Sequence, residues 1–281
     1  MANIPVANLQ PGDLLLCMGT GEISKLIAWV GANDYSHCAI VCDGSRLIEA
    51  AASGARYVDL AHEQSLGDEY VYIDAVRNHH QSAAPLAGAN LDAFLGEVRA
   101  YVGRPYDLDR LVELGVAIAV RNKVPQHPLG RLLFRLAIDH LMSSDPKAVV
   151  CSELAYRLYT EGQYAPADVL KPEIVITPPV ELPFPQIDWI ALWKEYEAAR
   201  RSTPKLASAS DAMQATPPEP AELAARIAEA RRHLGLDAPL ADGAPTDGGE
   251  IVDPRVNPKT VIPSDFAASP SYFALGRFVG A

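Results

Sequence analysis

Apolar and polar positions switch between two spacings along this chain, alternation and a three-to-four repeat. "PGDLLLC" (11–17) reads as a turn leading into a short buried strand. In "GEISKLIAWVG" (21–31), Ile23, Leu26, Ile27 and Val30 share one helical stripe, and Gly31 suits the helix end. "NDYSHCAIVCDGSRLIEAAASG" (33–54) predicts two strands joined by a tight turn at "CDGS". "EYVYIDAVR" (69–77) alternates as a strand, and "NLDAFLGEVRAYVG" (90–103) predicts a helix with an asparagine cap and a terminal glycine. Two apolar helices follow, "LVELGVAIAV" (111–120) and "PLGRLLFRLAIDHLM" (128–142), separated by the breaker "RNKVPQHP". "DPKAVVCSELAYRLYTEG" (145–162) predicts an extended entry and then a helix from about Cys151.

Past residue 162 the pattern loosens. Prolines crowd "KPEIVITPPVELPFPQ", one helix is predicted over "IDWIALWKEYEAARR", and "STPKLASASDAMQATPPEP" reads as a linker. "AELAARIAEARRHLG" is a second amphipathic helix, with Leu223, Ile227 and Leu234 on one side, and "DAPLADGAPTDGGE" is loop-like. With so few apolar runs, residues 165–258 are expected to be an elaboration packed on the first domain rather than a domain of their own.

Composition narrows the function classes. A chain of 281 residues that is 49% hydrophobic can bury a sizeable core. A net charge of −11 argues against nucleic acid or an anionic membrane as partner, since both require a cationic face. The opening "MANIPVANLQPGD" lacks the pattern of a secretory signal, and no apolar run is long enough to span a bilayer. The expectation is a soluble protein, cytoplasmic or exported by a leaderless route. The cysteines form no CxxC pair, and Cys38 and Cys42 share one strand, so reduced thiols are expected.

Polar residues inside apolar runs point to chemistry. His37 opens the first hairpin strand and Glu49 sits deep in the second, where an unpaired carboxylate would be costly to bury. Across a turn at Asp43–Gly44 the two fall opposite or diagonal, within a side chain's reach. Cys151 begins a helix, where unpaired N–H groups and the helix dipole favour thiolate. A thiol, an imidazole to move its proton and a third group to orient that imidazole make a nucleophilic set. Spacing alone does not pair them, because strand-start histidines and buried cysteines are common in cores. Cys17, Cys38 and Cys42 are accounted for by core packing, and no His/Cys/Asp cluster has the spacing of a metal site. "SDPK" and "GTGEIS" lack the partner residues of the motifs they partly match.

The order His, acid, Cys resembles the circularly permuted branch of the NlpC-type cysteine peptidases, papain-like in fold, which includes YiiX-like bacterial hydrolases and the lecithin–retinol acyltransferase group. The stretches that carry the resemblance are "PGDLLL" (11–16), "SHCAIVCDGSRLIEA" (36–50), "VGRPYDLD" (102–109), "VVCSELAYRLY" (149–159) and the closing "VIPSDFAASPSYFALGRF" (261–278). Together they cover the first 160 residues and the last 20. The resemblance implies an α+β fold, with a small antiparallel sheet or half-barrel packed on the nucleophile helix and with helical insertions. Residues 1–164 together with 259–281 would form the catalytic domain. It implies Cys151 as nucleophile, His37 as base and Glu49 as orienting residue. The backbone N–H of Cys151 would be one oxyanion donor, with Tyr35 or Ser36 as the second.

The function so implied is a cysteine hydrolase acting through a thioester as an amidase or endopeptidase on cell-wall peptides, with no cofactor and no metal. Its partners would be a peptide or acyl substrate and, for an exported enzyme, a cognate inhibitor or immunity protein. A lipid-directed thiol acyltransferase or phospholipase is the second reading, with the apolar stretches at 111–142 lining an acyl groove. A non-catalytic binding module is the third.

Overall fold

The computed structural model describes residues 2–280 except 52–53, 66–68, 84, 104–109, 145–148, 177–179, 201–210, 212–213, 237–250 and 253–255. Most of "VGRPYDLD", the entry "DPKA", most of the linker after residue 201 and the loop "DAPLADGAPTDGGE" therefore lie outside the described residues. The chain is a mixed α+β protein built on one six-stranded, fully antiparallel sheet.

The sheet strands are β1 (Leu14–Gly19), β2 (His37–Val41), β3 (Arg46–Ala51), β4 (Gly54–Asp59), β5 (Tyr70–Asn78) and β8 (Tyr272–Val279), in the order β4-β3-β2-β1-β5-β8. A separate two-stranded pair joins β6 (Val175–Ile176) to β7 (Ile251–Val252). The helices are α1 (Glu22–Gly31), α2 (Leu60–Ser65), α3 (His80–Ala83), α4 (Gly88–Tyr101), α5 (Arg110–Arg121), α6 (Pro128–Ser143), α7 (Cys151–Thr160), α8 (Trp189–Arg200), α9 (Pro220–His233) and α10 (Pro263–Ala268).

Alternation along the central strands sorts side chains onto two buried faces. Leu14, Leu16, Cys38, Ile40, Ile48 and Ala50 pack with α4 and α7, whereas Leu15, Cys17, Ala39, Val41 and Leu47 pack with Ile4, Leu9, Leu60 and Phe278. A third core is mainly helical, uniting α1, α5, α6, α8 and α9 through Leu26, Trp29, Leu114, Ile118, Leu132, Tyr196 and Ile227. Gly115 allows α5 to lie close on α6, since a Cβ there would sit 2.7 Å from the Ala137 carbonyl oxygen.

The two helices predicted after residue 162 form as α8 and α9, and Leu223, Ile227 and Leu234 are buried in the helical core. Glu195 on α8 accepts from the N–H groups of Glu22 and Ile23 at the start of α1, at 2.7 and 3.1 Å. Glu22 in turn accepts from Asp188 N–H at 3.1 Å, so each helix supplies an acceptor near the other's first turn.

One helix end differs from its reading and another agrees with it. Asn90 does not cap α4, which starts at Gly88; its side chain instead donates to the Ala165 carbonyl and accepts from the Ala165 N–H, at 2.9 and 2.8 Å. Gly31 ends α1 as expected; a Cβ there would stand 2.9 Å from Ser264 Oγ, and the left-handed position past the helix belongs to Ala32, at φ 51°. β4 was not expected, because "GARYVD" is short and interrupted by Arg56. All four cysteines are buried and none is in a disulfide. Among the described residues no helix is long and apolar enough to cross a membrane.

Candidate functional site

Three elements meet where the sheet abuts the helical core. The hairpin register pairs Ala39 with Glu49, which sets His37 diagonal to Glu49 on one face of the sheet. His37 Nε2 lies 3.6 Å from Glu49 Oε2, and the residues are 13% and 5% exposed in their side chains. Glu49 faces Arg56 directly across β3 and β4, and its other oxygen accepts from Arg56 Nε and Nη2 at 2.9 and 2.7 Å. One carboxylate oxygen is thus held by the guanidinium while the other faces the imidazole, which fixes the carboxylate that fixes the ring.

Cys151 is the first residue of α7, and Val150 before it is extended, at φ −86° and ψ 164°. Its N–H is among the first-turn donors that have no partner within a helix. Two contacts lock α7 in place: Ser152 Oγ donates to the Val261 carbonyl at 2.6 Å, and Tyr159 Oη donates to the Gly12 carbonyl at 2.9 Å. The helix packs on β2 and β3, and a ring nitrogen of His37 and the Cys151 sulfur fall within 4.8 Å of each other. Cys38 lies in the same buried cluster as Cys151 and pushes its thiol up, so Cys38 is more than core filling.

A fourth residue joins them that sequence reasoning passed over. Glu113, on α5, lies 3.8 Å from His37 Nδ1, and its carboxylate, a His37 ring nitrogen and the Cys151 sulfur all sit within 4.8 Å of one another. "LVELGVAIAV" reads as an apolar stretch, yet Val116 and Ala117, three and four residues on, are buried. A carboxylate on that stripe must enter the interior, which is the signal that was there to find. His37, Glu113 and Cys151 come from three separate elements, so no local spacing along the chain records their grouping.

The electrostatics follow from burial among two carboxylates. Burial works against the Glu49 charge, but His37 and Arg56 outweigh it and hold the carboxyl below its usual range. Glu113 is likewise held low, because His37, Cys151 and Arg110 together outweigh its burial. Burial pushes the Cys151 thiol up, Cys38 and Glu113 push it further, and His37 offsets only part of this. For His37, burial favours the neutral ring, but Cys151, Glu113 and Glu49 outweigh it and lift the imidazole above its ordinary value.

The residues considered as second oxyanion donors are engaged elsewhere. The Tyr35 hydroxyl donates to Asp74 Oδ2 at 2.9 Å, and Asp74 also accepts from Arg277 of β8. The Ser36 N–H donates to the Cys17 carbonyl at 2.9 Å, and Ser36 Oγ accepts from the Gly19 N–H at 3.1 Å.

Fold and site define an α+β protein with a buried Cys–His–carboxylate cluster at a helix N-terminus. No family model matches the chain, and no curated protein matches it. Among solved structures it is similar to the metalloprotein YiiX from Escherichia coli O157:H7, with 14% identity and a TM-score of 0.43 over 95% of this chain and 97% of that one.

Proposed function

We propose that this chain is a cysteine hydrolase of circularly permuted papain-like fold that works by acyl transfer through a thioester. The observation that carries the reading is the convergence of Cys151, at the first position of α7, with His37 and the Glu49 behind it. Glu49 takes the His37 Nε2 side, so Nδ1 is the nitrogen for the thiol proton. In the first half-reaction Cys151 gives its proton to His37, and the sulfur attacks the substrate carbonyl carbon. The oxyanion so formed accepts from the Cys151 N–H. Collapse breaks the bond to the leaving amine, which takes the proton from His37. Water then adds to the thioester carbonyl with its proton passing to His37, and the acid departs as the thiol is restored.

The substrate is read as an amide, specifically a cell-wall peptide, because the NlpC-type resemblance implies it. Lipid-directed transfer has less support. Leu132 and Leu136, which an acyl groove would need, are 0% and 6% exposed and lie in the helical core. The catalytic unit is read as residues 1–164 with 259–281, an assignment supported by β8 closing one edge of the sheet and by Ser152 holding Val261. Residues 165–258 are read as an elaboration on it.

Turnover of cell-wall peptide fragments tests the reading. Cys151→Ala and His37→Ala should each abolish hydrolysis, and the double variant should be hardly worse than either, because the pair acts as a unit. Glu49→Gln should lose less, since a neutral amide still accepts the imidazole N–H. Additive losses from Cys151 and His37 would show that they share no mechanism.

A further inference from the structure

The acyl-transfer reading leaves Glu113 without a role. Glu113 beside the thiol and the imidazole completes a cluster of one sulfur, one nitrogen and one oxygen donor, which nucleophilic attack alone does not require. We propose that Cys151, His37 and Glu113 form a three-ligand site for a zinc-class divalent cation, with Glu49 as the outer partner that orients His37.

The geometry is close to what such an ion requires. Zinc bonds of about 2.3 Å to sulfur and about 2.0–2.2 Å to nitrogen and oxygen, arranged tetrahedrally, place ligand atoms about 3.3–3.6 Å apart. His37 Nδ1 and Glu113 Oε1 are already 3.8 Å apart, and all three ligand atoms lie within 4.8 Å of one another. Closure needs movements of about 1 Å, which side-chain rotation supplies. The donor set selects the metal class. Thiolate with imidazole and one carboxylate suits a borderline-soft ion, whereas magnesium and calcium take oxygen ligands.

The surroundings complete the case. A metal-bound histidine characteristically donates its other N–H to a carboxylate, and Glu49 stands 3.6 Å from Nε2 on the side away from Glu113. Arg56 anchors that carboxylate. The Cys151 thiolate, Glu113 and Glu49 together supply three negative charges around a dication. Three protein ligands leave a fourth position open.

Binding releases the Cys151 thiol proton to solvent and places the sulfur's electron pair on the metal. The loaded thiolate is then withdrawn from attack on carbon, so the cation acts as a reversible brake. The coordination itself stands without the acyl-transfer reading, since it needs only the three side chains.

The experiment uses the full chain, reduced and stripped with chelator. Equilibrium dialysis against Zn2+ should give one ion per chain, unaffected by excess Mg2+. Co2+ in place of Zn2+ should show thiolate-to-cobalt charge transfer that Cys151→Ser removes. Glu113→Gln, which keeps the side chain's size, should weaken Zn2+ binding at least 100-fold, and Glu49→Gln about 10-fold. In the unaltered chain, Zn2+ should protect Cys151 from iodoacetamide and chelator should restore labelling, a readout that does not depend on any variant folding. No bound Zn2+, a cobalt band that survives Cys151→Ser, unchanged affinity in Glu113→Gln, or protection of Cys38 or Cys42 in place of Cys151 would each overturn the site. A chain that takes Zn2+ but forms no acyl adduct loses only the hydrolase reading. One that forms the adduct and takes no Zn2+ loses only this one.

Discussion

At the scale of single residues, the Cys151 thiol is governed by what surrounds it. Burial, then Cys38 and Glu113, raise it, and Glu113 also helps His37 keep its proton. Glu113→Gln removes one negative charge from both balances, so the thiol and the imidazole should each lose their protons at lower pH. In metal-free buffer the pH at which Cys151 reacts with iodoacetamide should therefore fall, and neutral-pH labelling should quicken. An unchanged or higher onset would show that the carboxylate does not act on the thiol. His37, Glu49 and Cys151 were legible in the sequence because each is a reactive or charged residue at an interpretable point of a strand or helix. Glu113 was not, because a single carboxylate in so apolar a helix leaves the apolar pattern of the stretch unchanged. Cys38 was passed over for a related reason: a buried thiol in a strand looks the same whether its neighbour is leucine or another thiol.

Among the elements, α5 carries Glu113 and its placement depends on close contact with α6. Gly115→Ala would put a methyl group against the Ala137 backbone, which cannot yield as a flexible side chain would. The change should cost about 1–3 kcal/mol and lower the melting temperature. Gly96, in the interior of α4, has nothing within 4 Å of its missing Cβ, so Gly96→Ala should be neutral or stabilising by about 0.5–1 kcal/mol. Thermal melts of the two variants check the contrast, and equal effects would contradict the packing account. Elements with strong periodicity are readable: α1, α5, α6 and α9 form on their apolar stretches, and α7 and α8 form where helical stretches are read. β4 and β8 were harder, because an outer strand such as "GARYVD" or "YFALGRFV" owes its place to a neighbour already in the sheet rather than to its own pattern.

For the molecule as a whole, the helices of 165–258 bury their apolar stripes on the rest of the chain. Leu192, Trp193 and Tyr196 of α8, with Leu223 and Ile227 of α9, share one core with α1, α5 and α6. Expressed alone, residues 165–258 should therefore show no cooperative thermal transition, as expected of an elaboration. A sharp transition from that fragment would make it a second domain. On the proposed mechanism Cys151 carries an acyl group during turnover, which the intact mass of the full chain, quenched during turnover of a cell-wall peptide fragment and followed by peptide mapping, reads out. A peptidyl adduct should appear on Cys151, be absent from Cys151→Ala and be strongly reduced in His37→Ala. A chain that turns the substrate over with no adduct, or an adduct mapped to Cys17, Cys38 or Cys42, would contradict it.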